Sequence, residues 1–219
     1  MEHHELSTAR GTACQVHILR HGQSLHNVNR DFKDRDPCLT ETGVEQALGV
    51  KLPEKPGLII VSPMTRTIQT AKLVFRDWFE STPIQVWPDL RESHDAICNH
   101  GVSRDAMATK FPDMDFTECP AEWDYPPHNF EDAVARAERV RQRLNAMAAS
   151  GVYHNIYLVS HRGFIAFLVQ GERFNVCDLR TFRFACVDEV EGLRFGINVD
   201  TETAQDFGPT VLTPVNPEG

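Results

Sequence analysis

Apolar positions change their period several times along the chain, and each change predicts an element. Residues 14–19, Cys-Gln-Val-His-Ile-Leu, form a β-rich run. Glycine and small polar residues stop it at Arg20-His21-Gly22-Gln23-Ser24. Thr40-Glu41-Thr42-Gly43 has the capping character of a helix start. Val44, Ala47 and Leu48 follow at helical spacing, and Pro53 and Pro56 close that helix. Leu58-Ile59-Ile60-Val61 is apolar throughout, as expected of a strand buried on both faces. A helical pattern then covers about Thr65 to Phe79, and Ile84-Gln85-Val86-Trp87 predicts a third strand. From 93 to 129 no period holds, and Pro112, Pro120, Pro126 and Pro127 break the chain. This stretch is expected to be an inserted, largely irregular, cap-like segment, since long structureless loops in compact domains are usually lids or binding loops. Glu131 to Ala149 is helical, with Ala133, Ala137, Val140, Leu144 and Met147 on one face. Ile156–Val159 predicts a fourth strand, Ser160-His161-Arg162-Gly163 follows it, and an apolar helix starts at Phe164. Thr181–Val187 and Leu193–Asn198 alternate as two further strands. The tail from about 201 is expected to be loose or to wrap the surface, and residues 1–12 to be disordered.

Strands alternating with helices predict an α/β fold, a three-layer α/β/α sandwich with a mostly parallel central sheet, as one domain over 1–219. In such sheets the loops beyond the strand carboxyl ends form the ligand crevice. Three predicted strands end in polar clusters: Arg20-His21, Ser62 to Arg66, and His161-Arg162.

Composition narrows the partners. Twenty-two Lys and Arg against 31 Asp and Glu give a net charge of −9. That disfavours nucleic acid or an anionic membrane as the main partner, while leaving room for a small cationic pocket. The longest strictly apolar run is Phe164–Val169, far short of the roughly 20 residues of a membrane span. The polar start Met1-Glu2-His3-His4-Glu5 lacks a signal core. Six cysteines without C-x-x-C spacing read as scattered thiols, so a cytoplasmic location is expected. His3-His4 reads as an exposed terminus. No other residues have zinc-site spacing, so no metal and no cofactor are expected. Oligomeric state is not fixed by the sequence.

Each polar cluster is weak evidence by itself. Together they bring two imidazoles and two or three guanidiniums to one crevice, which costs stability unless an anion compensates. Phosphate is the natural ligand, because guanidinium forks match its oxygens and loop N–H groups add to the field.

On these residues the chain resembles the histidine phosphatase superfamily, branch 1, the phosphoglycerate mutase-like proteins. Leu19-Arg20-His21-Gly22-Gln23-Ser24 with Asn27 is similar to the family signature around the nucleophile. Leu39-Thr40 with Gly43, Gln46 and Ala47 is similar to the next block, and Ser62-Pro63, Arg66 and Gln69-Thr70-Ala71 to the third. Leu90-Arg91-Glu92 stands where the family places its proton donor, and Ser160-His161 where it places the second histidine. These blocks run in order from about 14 to 171.

The resemblance implies a phosphoglycerate mutase-like fold and a phosphatase with His21 as nucleophile. Arg20, Arg66 and His161 would hold the phosphoryl oxygens, and Asn27 would add a hydrogen bond. Gln23, Ser24 and Arg162 are further substrate-binding candidates. Glu92 would serve as proton donor, with Asp89 and Asp95 as competing carboxylates. The expected substrate is a small phosphorylated metabolite, with sugar phosphates, nucleotides and prenyl phosphates all open.

Departures from the family pattern keep rivals in view. Arg162 follows His161, where glycine is more usual. It is a fourth phosphate ligand, a ligand for a second anionic group, or a solvated arginine. The longer mutase blocks have no counterpart, and Asn99 and His100 occupy the stretch beyond Glu92. Trp123, Tyr125 and His128 either cap an apolar leaving group or form a satellite core. Two rival functions remain: a repurposed acid–base enzyme acting on a non-phosphorylated metabolite, and a non-catalytic module that binds a phosphorylated ligand.

Overall fold

A computed structural model describes residues 14–29, 31–124 and 128–215. The expectation of a disordered 1–12 and the placement of Tyr125 lie outside them. Eight strands are found among the described residues: β1 Gln15–Arg20, β2 Leu58–Val61, β3 Ile84–Val86, β4 Asn155–Ser160, β5 Leu179–Phe184, β6 Phe195–Ile197, β7 Ala204–Asp206 and β8 Leu212–Pro214. Seven helices accompany them: α1 Leu25–Val28, α2 Glu41–Gly49, α3 Thr65–Val74, α4 Arg104–Lys110, α5 Phe130–Ala149, α6 Arg162–Leu168 and α7 Val187–Leu193. The main sheet has the order β3-β2-β4-β1-β5-β8. Its first four strands are parallel, and β5 and β8 run antiparallel to their neighbours.

Alternation across the strands divides the core between the two faces of the sheet. Val16, Ile18, Leu58, Ile60, Ile156 and Leu158 pack with Ala133, Ala137, Val140 and Leu144 of α5 and with Phe164, Ile165 and Leu168 of α6. The intervening Leu19, Ile59, Val61, Tyr157 and Val159 pack with Ala47 of α2 and Ile68, Ala71 and Val74 of α3. This covering of both faces is why β2 reads as an unbroken apolar run. Each fully buried large aliphatic side chain contributes about 1.5–3 kcal/mol. Thr40 caps α2 by accepting from the Gly43 amide at 3.0 Å, and Asn129 caps α5 by accepting from the Asp132 amide at 2.7 Å.

Several expectations need correction. The helix predicted to reach Phe79 ends at Val74, with Phe75 as its C-cap. Val187 and Leu193, assigned to strands, bound α7 instead. Its apolar residues Val187, Val190 and Leu193 recur every third position, and Glu189 ties its start by accepting from the Cys186 amide at 2.7 Å. The tail, expected to be loose or to wrap the surface, carries β7, which pairs with β6, and β8, which extends the main sheet. Phe207, Val211 and Leu212 are buried. The irregular segment after Glu92 contains a 3-10 turn at Ile97–Asn99 and the helix α4. Its Trp123 is buried in the core cluster beside α3, the satellite-core alternative.

Candidate active site

The parallel register brings three strand ends level. Arg20 pairs with Ser160, and Val61 with Val159. One residue further on, the His21 amide donates to the Ser160 carbonyl at 3.1 Å and the Ser62 amide to the Val159 carbonyl at 3.0 Å. His21, His161 and Ser62 therefore leave the sheet edge side by side. The imidazole centroids of His21 and His161 are 5.2 Å apart.

Backbone contact fixes the loop after β1. A Cβ on Gly22 would meet the Gly43 carbonyl oxygen at 2.7 Å, and one on Gly43 would meet the Gln23 oxygen at 1.9 Å. The Gly22 amide donates to Thr70 Oγ1 at 3.0 Å, and the Thr40 hydroxyl donates to Gln23 Oε1 at 2.8 Å. Asn27 Oδ1 accepts from the Ser24 amide at 3.0 Å, and the Ser24 hydroxyl lies 2.7 Å from His26 Nδ1. Gln23, Ser24 and Asn27 thus use these groups to hold the loop.

Hydrogen bonds settle the tautomer of the His21 ring. His21 Nδ1 donates to the Gly22 carbonyl at 2.7 Å, while Nε2 accepts from Arg66 Nε at 3.3 Å. Nε2 is therefore the bare nitrogen. Burial, reinforced by Arg66 and Arg20, holds the His21 imidazole well below its ordinary pKa. Burial with Arg66 does the same for His161. His161 Nε2 lies 2.8 Å from Ser62 Oγ, and its buried Nδ1 has no partner among the described residues. A Ser62 hydroxyl donating to Nε2 leaves the proton on Nδ1, as a free donor.

Two buried guanidiniums face these rings with only neutral partners. Arg20 donates from Nη1 to the Phe174 carbonyl at 2.8 Å, and its buried Nε is unpartnered. Arg66, fully buried, donates to the Cys98 carbonyl at 3.2 Å, to Asn99 Oδ1 at 3.1 Å and to His21. Burial and the nearby Arg162 lower Arg20 to about 10, and burial also lowers Arg66. Unpaired buried cations of this kind are costly until an anion arrives.

Glu92 is the buried carboxylate of the three candidates. Its Oε1 accepts from the amides of Ser93 at 2.7 Å and Phe164 at 2.8 Å, and its Oε2 from Gly163 at 3.2 Å. Asp89 instead pairs with the exposed Arg139, and Asp95 with His100. Arg136 of α5 holds the Glu92 segment from beneath, donating to the carbonyls of Asp89 at 2.9 Å, Arg91 at 2.8 Å and Glu92 at 3.4 Å.

Sequence reasoning missed several members of the site. His26 lies 6.0 Å from the His21 ring, and burial with the Arg66 charge lowers its pKa to about 4. Asn99 orients Arg66, and Arg136 supports Glu92. A histidine five residues after His21 was the only available signal for His26. Arg136 was hidden on a helix face that otherwise reads as apolar.

A sequence profile of the histidine phosphatase superfamily (branch 1) matches residues 16–184. The chain belongs to that superfamily. Among related proteins, a probable phosphatase of Schizosaccharomyces pombe is 34% identical over 122 residues, covering 51% of this chain and 56% of that protein. The chain thus spans just over half the length of that relative. The adenosylcobalamin/alpha-ribazole phosphatase of Escherichia coli is 27% identical over 161 residues, covering 69% of this chain and 75% of that protein. A crystal structure of a putative alpha-ribazole-5'-P phosphatase from E. coli superposes with a TM-score of 0.57 at 22% identity, over 79% of this chain and 92% of that one. The α/β sandwich is the fold of these histidine phosphatases. No helix among the described residues is long and apolar enough to cross a membrane.

Proposed function

We propose that the chain is a phosphomonoesterase that hydrolyses a small phosphorylated metabolite through a phosphohistidine on His21. The observation that carries this reading is the bare Nε2 of a neutral His21, directed at buried guanidiniums whose partners are all uncharged. Such a site is electrostatically incomplete without an oxyanion. The two relatives named as phosphatases support the same chemistry.

The steps balance with the residues present. Nε2 attacks phosphorus in line, the N–P bond forms, and the ester P–O bond breaks. Protonated Glu92 gives its proton to the departing oxygen and becomes the carboxylate. Arg20, Arg66 and the Nδ1–H of His161 stabilise charge on the transferring oxygens. Water then attacks phosphorus, Glu92 takes its proton, the N–P bond breaks, and phosphate leaves. Gln23, Ser24 and Asn27 position the loop that carries Nε2.

A panel of phosphate monoesters assayed with wild type and His21→Ala tests this. Wild type is expected to turn over at least one ester, to incorporate acid-labile phosphate on residue 21, and to lose both properties in His21→Ala. Equal turnover by the two proteins would end the proposal.

A further inference from the structure

A second cationic group adjoins the phosphate site, and the proposed chemistry does not require it. Its centre is Asp200, in the connection between β6 and β7, with a side chain only 2% exposed. Three cationic side chains converge on it. Arg162 Nε lies 3.0 Å from Oδ1, Arg173 Nε 3.3 Å from Oδ1, and His94 Nε2 3.1 Å from Oδ2. The three are 41–47% exposed on their outer sides. Arg162 and Arg173 alone outnumber the single carboxylate. His94 adds a further charge when protonated, which the adjacent Asp200 carboxylate favours by raising its pKa.

Each cation is tied through the chain to a phosphate-site residue. Arg162 follows His161. Arg173 precedes Phe174, whose carbonyl holds Arg20. His94 is two residues beyond Glu92, and its Nδ1 and Glu92 Oε1 both lie within 2.6 Å of where a Gly163 Cβ would stand. Proximity is also electrostatic, since Arg162 is the charge that most lowers Arg20. Arg162 has the form of a prepared receptor. The buried carboxylate lies 3.0 Å from its Nε as an ion pair without a hydrogen bond, so the guanidinium is held by charge and its donors are left for a ligand. A fork held in this way matches the two oxygens of a carboxylate or phosphate.

We propose that Arg162, supported by Arg173 and His94, binds a second anionic group carried on the leaving-group side of the substrate. The substrate class is then a phosphomonoester with a carboxylate or another phosphate a few bonds from the ester oxygen. Asp200 is the positioning residue that aims the fork. This inference rests on the phosphatase reading above and refines it.

Matched ester pairs test it: 2-phosphoglycolate against 2-hydroxyethyl phosphate for the carboxylate, and 1,3-propanediol bisphosphate against 3-hydroxypropyl phosphate for the phosphate. Wild type is expected to prefer the anionic member of at least one pair by about tenfold or more in kcat/KM, mainly through KM. Arg162→Gln and Arg173→Gln should bring that ratio towards one, and Arg162→Lys should keep part of it. A ratio near one in wild type overturns the proposal. So does a ratio unchanged in both glutamine variants, which would make the cations mere anchors of the β6–β7 hairpin. Melting temperatures check that the variants fold. If wild type hydrolyses no ester, the phosphatase reading fails by itself. The subsite is then read from thermal shifts, which should be larger with the anionic ligand in wild type and equal within each pair in Arg162→Gln. Equal shifts in wild type overturn it.

Discussion

Replacing Arg66 with methionine separates stability from catalysis. The substitution keeps an unbranched side chain in a fully buried slot and removes three hydrogen bonds, to His21, Cys98 and Asn99. Leaving the Cys98 carbonyl and Asn99 Oδ1 unpaired costs about 1–3 kcal/mol each. Against this, the folded protein no longer keeps a guanidinium with neutral partners out of water, a relief of several kcal/mol. The two effects oppose each other and leave a net change of about 2 kcal/mol or less. At about 2–4 °C per kcal/mol for a chain of this size, the melting temperature should move by less than about 8 °C. Catalysis has no such offset. Removing one preorganised donor from the transferring phosphoryl group should lower kcat about 100- to 1,000-fold. Phosphate stabilisation should fall as well. At 100 times its dissociation constant a ligand stabilises wild type by about 2.7 kcal/mol, and the variant should show a small fraction of that shift. Calorimetry with and without phosphate, run beside aryl phosphate hydrolysis, reads all three quantities. A rate loss under tenfold in a folded variant would refute the role given to Arg66.

Other predictions follow from the same contacts. Gly43→Ala should lower both stability and rate, since its Cβ would overlap the Gln23 carbonyl in the loop that carries His21; thermal melting and turnover that match wild type would contradict this packing. Gly163→Ala should displace Glu92, whose Oε1 lies 2.5 Å from the new Cβ position. It should slow alkyl phosphates, which need a proton on the leaving oxygen, far more than activated aryl phosphates, and equal losses would argue against Glu92 as the acid. Arg136→Met should give the same alkyl-selective loss through the Asp89–Glu92 backbone. The pH dependence has a definite sign. His21 and His161 titrate well below the ordinary imidazole range when folded. Below about pH 6.5 the unfolded chain therefore binds more protons, and each ring removes up to about 1.4 kcal/mol of stability per further pH unit. His161→Gln should flatten that acid slope in melting curves from pH 7 to 5, and an unchanged slope would count against a neutral buried ring.

Much of this site was legible because a parallel sheet turns sequence order into spatial convergence. Once residues 14–19, Leu58–Val61 and Ile156–Val159 are read as parallel strands, the polar residues after each must meet at one edge. Arg20, His21, Arg66 and His161 do so. Asp200 was not legible, and Asn99 stood out only as a departure beyond Glu92 with no sign of its contact with Arg66, because each acts through side-chain contacts with distant segments and neither belongs to a periodic pattern. Arg136 carries a charge on the apolar stripe of α5, which pattern reading counts as a flaw and the fold uses as an anchor. Val187 and Leu193 were drawn into the ends of the strands predicted at 181–187 and 193–198 because β-branched and apolar residues favour strands, whereas the spacing of three in Val187, Val190 and Leu193 and the Glu189 tie decide for a helix between them. β7 and β8, three residues each, are too short for alternation to show.

The two margins of the main sheet bear on how copies of this chain can meet. β3 and β8 are its outermost strands, each three residues long. Pro83 and Pro88 flank the first, and Pro214 lies within the second. A proline offers no amide proton, and so short a strand exposes few unpaired backbone groups. Ladder growth from one molecule into the next therefore finds little purchase at either end. Self-assembly through the main sheet is thereby disfavoured at both margins, which protects these strands from edge-to-edge aggregation.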